Sequence, residues 1–360
     1  MPVTAFDPPF VAEATLTTST TSTTSTLPTF KNVCIYGAGS IGGWIGAGLA
    51  GAGCQVNVVA RGATLDALQA FGLRIQQGGI VAAHAVKASA NPADFGVQDL
   101  VVIAVKAPAL LDVARHIAPL IGPRTVVLTA MNGVPWWFFQ GFGGALAGTR
   151  LKAVDATSEI GALIPAPNVM GCVVHASCSV DEPGLVRHHF GNGLIIGEPS
   201  GQLTPRAQAL AALLIHAGFN ASVSEQIQKD VWYKLWGNMT VNPISAMTGA
   251  TTDLILADEL VRNFVSAVML EAKEIGARIG IPIAQQPEDR HAITLKLGAF
   301  KTSMLQDVEA GKAVELDALV AVVKELGSLT GLATPFTDAL LGLSRLHAQV
   351  RGLYQAPSLV

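Results

Sequence analysis

The pattern of apolar positions changes character near residue 200. Before it, short apolar runs alternate with Gly-, Pro- and polar-rich stretches; after it, apolar residues recur at helical spacing. Asn32-Val-Cys-Ile-Tyr36, Gln55-Val-Asn-Val-Val59, Leu100-Val-Val-Ile-Ala-Val105 and Thr125-Val-Val-Leu-Thr-Ala130 read as strands. The last two are almost continuously apolar, which predicts central parallel strands buried on both faces. Gly171-Cys-Val-Val-His175, Leu185-Val-Arg-His-His189 and Leu194-Ile-Ile196, punctuated by Pro183-Gly184 and Asn192-Gly193, predict antiparallel strands that close the sheet. From Pro199 onward no strand is expected. Helices are predicted over 204–217, 223–247, 252–280, 299–310, 315–329 and 335–351. Strands followed by helices predict two domains, an α/β domain over 31–199 and an all-α domain over 200–352, with the active site in the cleft between them. Residues 1–30 are Ser/Thr-rich and hold no Lys or Arg, so neither a secretory nor a mitochondrial presequence fits, and a disordered tail is expected.

The first strand runs into Gly37-Ala38-Gly39-Ser40-Ile41-Gly42, then a small-residue helix, then the second strand. This is the context that a dinucleotide-binding turn requires. Gly37 permits the tight turn, Gly39 lets the backbone approach a pyrophosphate, and Gly42 lets helix and strand pack closely. The free N–H groups of the helix start then hold the phosphates. An NAD site needs a carboxylate at the end of the second strand, on the ribose hydroxyls. Here Ala60-Arg61-Gly62 stands instead. A guanidinium without a carboxylate suits the 2′-phosphate of NADP. Lys106 and Asn132 follow two further strands at the same sheet edge and join Arg61 as candidate cofactor contacts. Ala104-Val-Lys106 and Asp94-Phe-Gly96 look kinase-like, but their order is reversed.

Among the helices, Lys234-Leu-Trp-Gly-Asn238-Met-Thr-Val-Asn242-Pro243 stands out. Lys234, Asn238 and Asn242 recur at steps of four and stack along one face of an otherwise apolar helix. One proton donor and two amides suit a small oxygen-rich ligand; a polar seam satisfied by neighbouring carbonyls, or a Lys snorkelling at the helix edge, would read alike. Pro243 lacks an N–H and so frees the carbonyl of Met239 one turn earlier.

Composition narrows the partners. Half of the 360 residues are hydrophobic and 14% are charged, with a net charge of −3, so neither nucleic acid nor an anionic membrane is favoured. Cys34, Cys54, Cys172 and Cys178 show no metal or redox spacing, and His175, His188 and His189 lack metal-like partners and suit surface or strand-end positions. No apolar run is long enough to span a membrane, and a reducing, cytoplasmic setting is expected. The apolar helices suit a homodimer interface or a core equally.

With Ser303-Met-Leu-Gln-Asp307 and Glu315 added, these motifs resemble the ketopantoate reductase (2-dehydropantoate 2-reductase) family over residues 31–350. The resemblance implies a Rossmann-type domain, an all-helical domain and NADPH-dependent reduction of a 2-keto acid, ketopantoate to pantoate. It implies that Lys234 is the general acid and that Asn238, Asn242 and Ser303 hold substrate. Glu315 would support the Lys or the substrate, and Arg61, Lys106 and Asn132 would contact the cofactor. Family members acting on another 2-keto acid, β-hydroxyacid dehydrogenases and a NADP-binding sensor without turnover are the competing readings. The Ser303–Asp307 block with Glu315 speaks against the dehydrogenases, and Lys234 with Glu315 against the sensor.

Overall fold

The computed structural model describes residues 29–355. Of the tail expected over residues 1–30, residues 1–28 lie outside the described residues, and Phe30 is buried. One sheet organises the first part of the chain. Its strands are β1 (Asn32–Tyr36), β2 (Gln55–Val59), β3 (Leu73–Gln77), β4 (Ile80–His84), β5 (Lys87–Ser89), β6 (Leu100–Ile103), β7 (Val126–Thr129), β8 (Val169–Glu182), β9 (Leu185–Gly197) and β10 (Asn220–Val223). They lie in the order β4-β3-β9-β8-β7-β6-β1-β2-β5, with β10 beside β9. β7-β6-β1-β2 pair in parallel, whereas β8 and β9 form a long antiparallel pair. The helices are α1 (Ser40–Gly51), α2 (Gly62–Phe71), α3 (Leu110–His116), α4 (Glu159–Leu163), α5 (Pro205–His216), α6 (Ile227–Thr248), α7 (Thr252–Ala257), α8 (Glu259–Arg278), α9 (Pro287–Leu295), α10 (Ser303–Glu309), α11 (Val322–Thr330) and α12 (Pro335–Val350).

Alternation along the strands builds two cores. Val33 and Ile35 of β1, Leu100 and Val102 of β6, and Val126 and Leu128 of β7 face α1 and α5. Cys34, Tyr36, Val101, Ile103 and Val127 face the other way, onto Trp136–Phe139. That second core continues without a break into Trp232, Trp236, Met239 and the other helices. The two halves of the chain therefore share apolar packing, which gives the cleft between them rigid walls.

Several expectations need correction. Strands do not stop at Pro199: β10 pairs in parallel with β9, Asn220 opposite Gly193. The predicted helix over 223–247 starts only at Ile227, because Val223 ends that strand. Helix α5 buries Ala207, Leu210 and Leu214 in the sheet's core, alongside residues of the strands. Asn192-Gly193 is no turn but part of β9, where a bulge opposite Ala176 absorbs extra residues and Gly191 takes a positive φ of 78°. The expected 252–280 helix is two, because Asp258 is extended and its side chain accepts the Val261 N–H as a new N-cap. Strands β3 to β5 and helix α9 have short, mixed patterns and were not expected.

Candidate active site

The dinucleotide turn has the geometry its glycines imply. Gly37 takes a φ of +98° and a Cβ there would lie 2.6 Å from Val105. A Cβ on Gly42 would lie 2.0 Å from the Gly37 carbonyl oxygen, so nothing larger lets α1 sit this close to the sheet. Gly39 faces open space, and as N-cap it offers no side chain to the first N–H groups of α1. Ala38 is buried, while Ser40 and Ile41 are half-buried at the helix start. No acidic residue occupies the first turn of α1. These features fit a pyrophosphate.

The carboxyl ends of four adjacent parallel strands carry the other polar groups. In sheet order these are Asn132 after β7, Lys106 after β6, Gly37 after β1 and Arg61 after β2. With neighbouring strands about 4.8 Å apart, the row spans roughly 14 Å. Arg61 is exposed at one end and pairs with Asp112 of α3. Gly133 has φ +83° and presses on the carbonyl of Ala318, within a π-helical turn Asp317–Ala321; the Val134 N–H donates to the same oxygen at 2.9 Å. That contact docks the Asn132 loop on the helical half.

Lys234 meets this row from α6. Its Nζ donates to Asn132 Oδ1 at 2.9 Å and to the Val174 carbonyl at 2.6 Å. Burial pulls the ammonium down to about 8. Cys172 and Glu315 oppose that shift and Arg290 adds to it. The Cys172 thiol is itself pushed up to about 12 by burial and is neutral, so Glu315 is the opposing charge that counts. His175, next to Val174, is pushed down to about 4 by desolvation, with Lys234 and Arg290 acting the same way, and stays neutral near pH 7.

Glu315 does not bond Lys234. Its Oε1 accepts the Ala107 N–H at 2.9 Å, across the domain boundary. Burial raises its pKa, while that N–H and Lys106 pull it back. Lys106 forms an ion pair with Asp307 of the Ser303–Asp307 run. Two carboxylates from the helical half thus grip the loop after β6.

Asn132, Lys234 and Asn238 line one small pocket together with Gly133. Asn242 lies one helical turn further on and is buried. Ser303 is exposed at the first position of α10, which packs on α6 and is capped by the Thr302 side chain. Neither Asn242 nor Ser303 lines that pocket, which gathers Lys234, Asn132 and Asn238. Sequence reasoning missed the Val174 carbonyl, Asp112 and Arg290. The first is a backbone atom, and the others come from helices that bear no functional motif.

Sheet, turn and half-buried Lys fit a nicotinamide-dependent oxidoreductase with a Rossmann-type domain and a helical domain. The family model for ketopantoate reductase PanE/ApbA matches residues 33–201, and that for its C terminal part matches residues 226–348. The chain belongs to the ketopantoate reductase family. It is 46% identical to a 2-dehydropantoate 2-reductase of Mesorhizobium japonicum, over 89% of this chain and 99% of the relative. A solved structure from Ralstonia solanacearum MolK2, described as a candidate ketopantoate reductase, superposes with a TM-score of 0.87 at 55% identity, covering 91% of this chain and all of the other. A 2-dehydropantoate 2-reductase from Geobacter metallireducens GS-15 gives a TM-score of 0.76 at 27% identity, over 87% of this chain and 99% of that one.

Proposed function

We propose that this chain uses NADPH to reduce 2-dehydropantoate to pantoate, a step of pantothenate and coenzyme A biosynthesis, with Lys234 as general acid. One observation carries the reading: an ammonium has three N–H groups, and Asn132 and Val174 take two of those on Lys234. The third is left for a substrate oxygen at the pocket. Bound NADPH supplies the hydride to the keto carbon. As negative charge grows on the carbonyl oxygen, Lys234 donates its proton there. Asn238 and Asn242 hold the hydroxyl end, and Ser303 adds a donor to the carboxylate. Glu315 keeps Lys234 charged and the Lys106–Ala107 loop in place. The row from Asn132 to Arg61 would hold the cofactor, with Asn132 and Lys106 toward the Lys234 side and Arg61 available for a 2′-phosphate. Cys34, Cys54, Cys172 and Cys178 are free thiols, which supports a cytoplasmic setting.

NADPH oxidation with 2-dehydropantoate, set against a panel of other 2-keto acids, tests the reaction. A higher kcat/KM for another acid would replace the substrate, and no turnover with any would remove the reaction. Arg61→Ala is expected to raise KM for NADPH by roughly 10- to 100-fold, the worth of charge-assisted hydrogen bonds, with little change for NADH. A wild-type enzyme that prefers NADH would overturn the 2′-phosphate assignment.

The reduction needs protonated Lys234, so kcat should stay level below its pKa of about 8 and fall about tenfold per pH unit above it. Glu315 raises that pKa, so Glu315→Gln should move the falling limb to lower pH. A limb that stays in place would detach Glu315 from Lys234.

A further inference from the structure

Beside the polar seam of α6 stands a cation that the mechanism above does not use. Arg290 lies on α9, whose start is set by a capping box between Gln286 and Asp289. Its guanidinium lies over the Tyr233 ring, 5.3 Å from the centroid. It also rests on the α6 backbone: a Cβ on Gly237 would lie 2.6 Å from Nε and 2.8 Å from Nη2. Tyr233 and Gly237 immediately precede Lys234 and Asn238, so Arg290 packs on the turn of α6 that carries those two residues of the pocket lining. Its charge is felt at both Lys234 and His175.

This guanidinium lacks a counter-charge. The ion-paired arginines among the described residues are Arg61, Arg74, Arg115, Arg187, Arg206 and Arg278. Arg290 has only the Tyr233 hydroxyl, and its Nε is buried without a partner. Asp289, next to it, is turned back to cap the Gln286 N–H. Holding a desolvated cation without an anion is unfavourable. So is a glycine inside a helix. At Gly237 the missing side chain makes room for that cation.

We propose that Arg290 is a substrate-positioning residue that receives the carboxylate of the 2-keto acid, a role that rests on the reduction argued above. A 2-keto acid brings a planar carboxylate next to the reacting carbonyl. Lys234 has two N–H groups engaged and its third assigned to the carbonyl oxygen. Asn238, Asn242 and Ser303 are neutral. The forked guanidinium supplies both the charge and the geometry that a carboxylate takes. It thereby sets which carbonyl carbon faces the cofactor.

The test compares Arg290→Gln, Arg290→Lys and Gly237→Ala with the parent enzyme, on 2-dehydropantoate and on its neutral methyl ester. For Arg290→Gln, kcat/KM on the acid should fall by roughly 10- to 100-fold, chiefly through KM, as expected for a lost charge-assisted pair. The ester should be affected less than about threefold and NADPH affinity should hold, since neither involves the lost pair. Arg290→Lys should recover part of the loss. Gly237→Ala, whose methyl displaces the guanidinium, should reproduce the loss without lowering Tm. An Arg290→Gln enzyme that still prefers acid over ester as strongly as the parent would overturn the proposal and mark a structural arginine. Calorimetric binding of oxamate to the NADPH complex separates the two readings. Oxamate bound by the parent and lost in Arg290→Gln supports the carboxylate site even if no keto acid turns over. Oxamate bound equally by both, or by neither, overturns it.

Discussion

Lys234→Ala is expected to lower kcat for NADPH-dependent keto acid reduction by about 10²–10⁴, the usual worth of a positioned acid. NADPH affinity should change little, because the row from Asn132 to Arg61 proposed to hold the cofactor lies at the sheet's edge and not on α6. The substitution removes a donor that no neighbour replaces. His175 is held neutral, pushed down to about 4. Lys106 is committed to Asp307. Asn132 would lose its partner and the Val174 carbonyl would lose its donor, so some disorder of the pocket should follow. Pre-steady-state measurement of NADPH oxidation separates the chemical step from binding. An unchanged hydride-transfer rate would remove Lys234 from the mechanism.

Trp236→Ala should cost about 3–5 kcal/mol of stability, the range for deleting a fully buried aromatic. Its side chain is 0% exposed and its indole N–H donates to the Met269 carbonyl at 2.8 Å, tying α6 to α8. Trp236 sits two residues beyond Lys234, so the same helix carries the site and its anchor. Chemical denaturation followed by the remaining tryptophans measures the loss. A change below about 1 kcal/mol would mean that the surrounding helices close the cavity.

The candidate site was legible where function imposes a local pattern. Gly37, Gly39 and Gly42 could be assigned separate tasks because a turn against a helix start has few solutions, and a Cβ would clash at Gly37 and Gly42 but meet open space at Gly39. Arg61 was legible through its place after the second strand, but its pairing with Asp112 was not, since that carboxylate comes from α3. Lys234 was legible as a polar residue on an apolar helix. Its partners were not: Asn132 comes from β7's end and Val174 is a backbone atom of β8. Glu315 was expected to support Lys234 or the substrate; its charge acts on Lys234 through space, and its carboxylate also accepts the Ala107 N–H across the boundary, a partner no motif announces.

Period and composition along the chain were enough to specify a parallel βαβ turn, two regions of different secondary structure and one helix whose polar face needs a partner. These are local properties, because side-chain direction repeats every two residues in a strand and every 3.6 in a helix. The packed structure alone decided that β10 rejoins the sheet after a helix, that the two regions share one core, and that Arg290 from a motif-free helix stands at Gly237. It also decided the state of Lys234, whose pKa of about 8 comes from burial among groups distant in sequence. Desolvation and charge act through space, so a residue that reads as an ordinary lysine along the chain has its pKa lowered only when the fold closes around it.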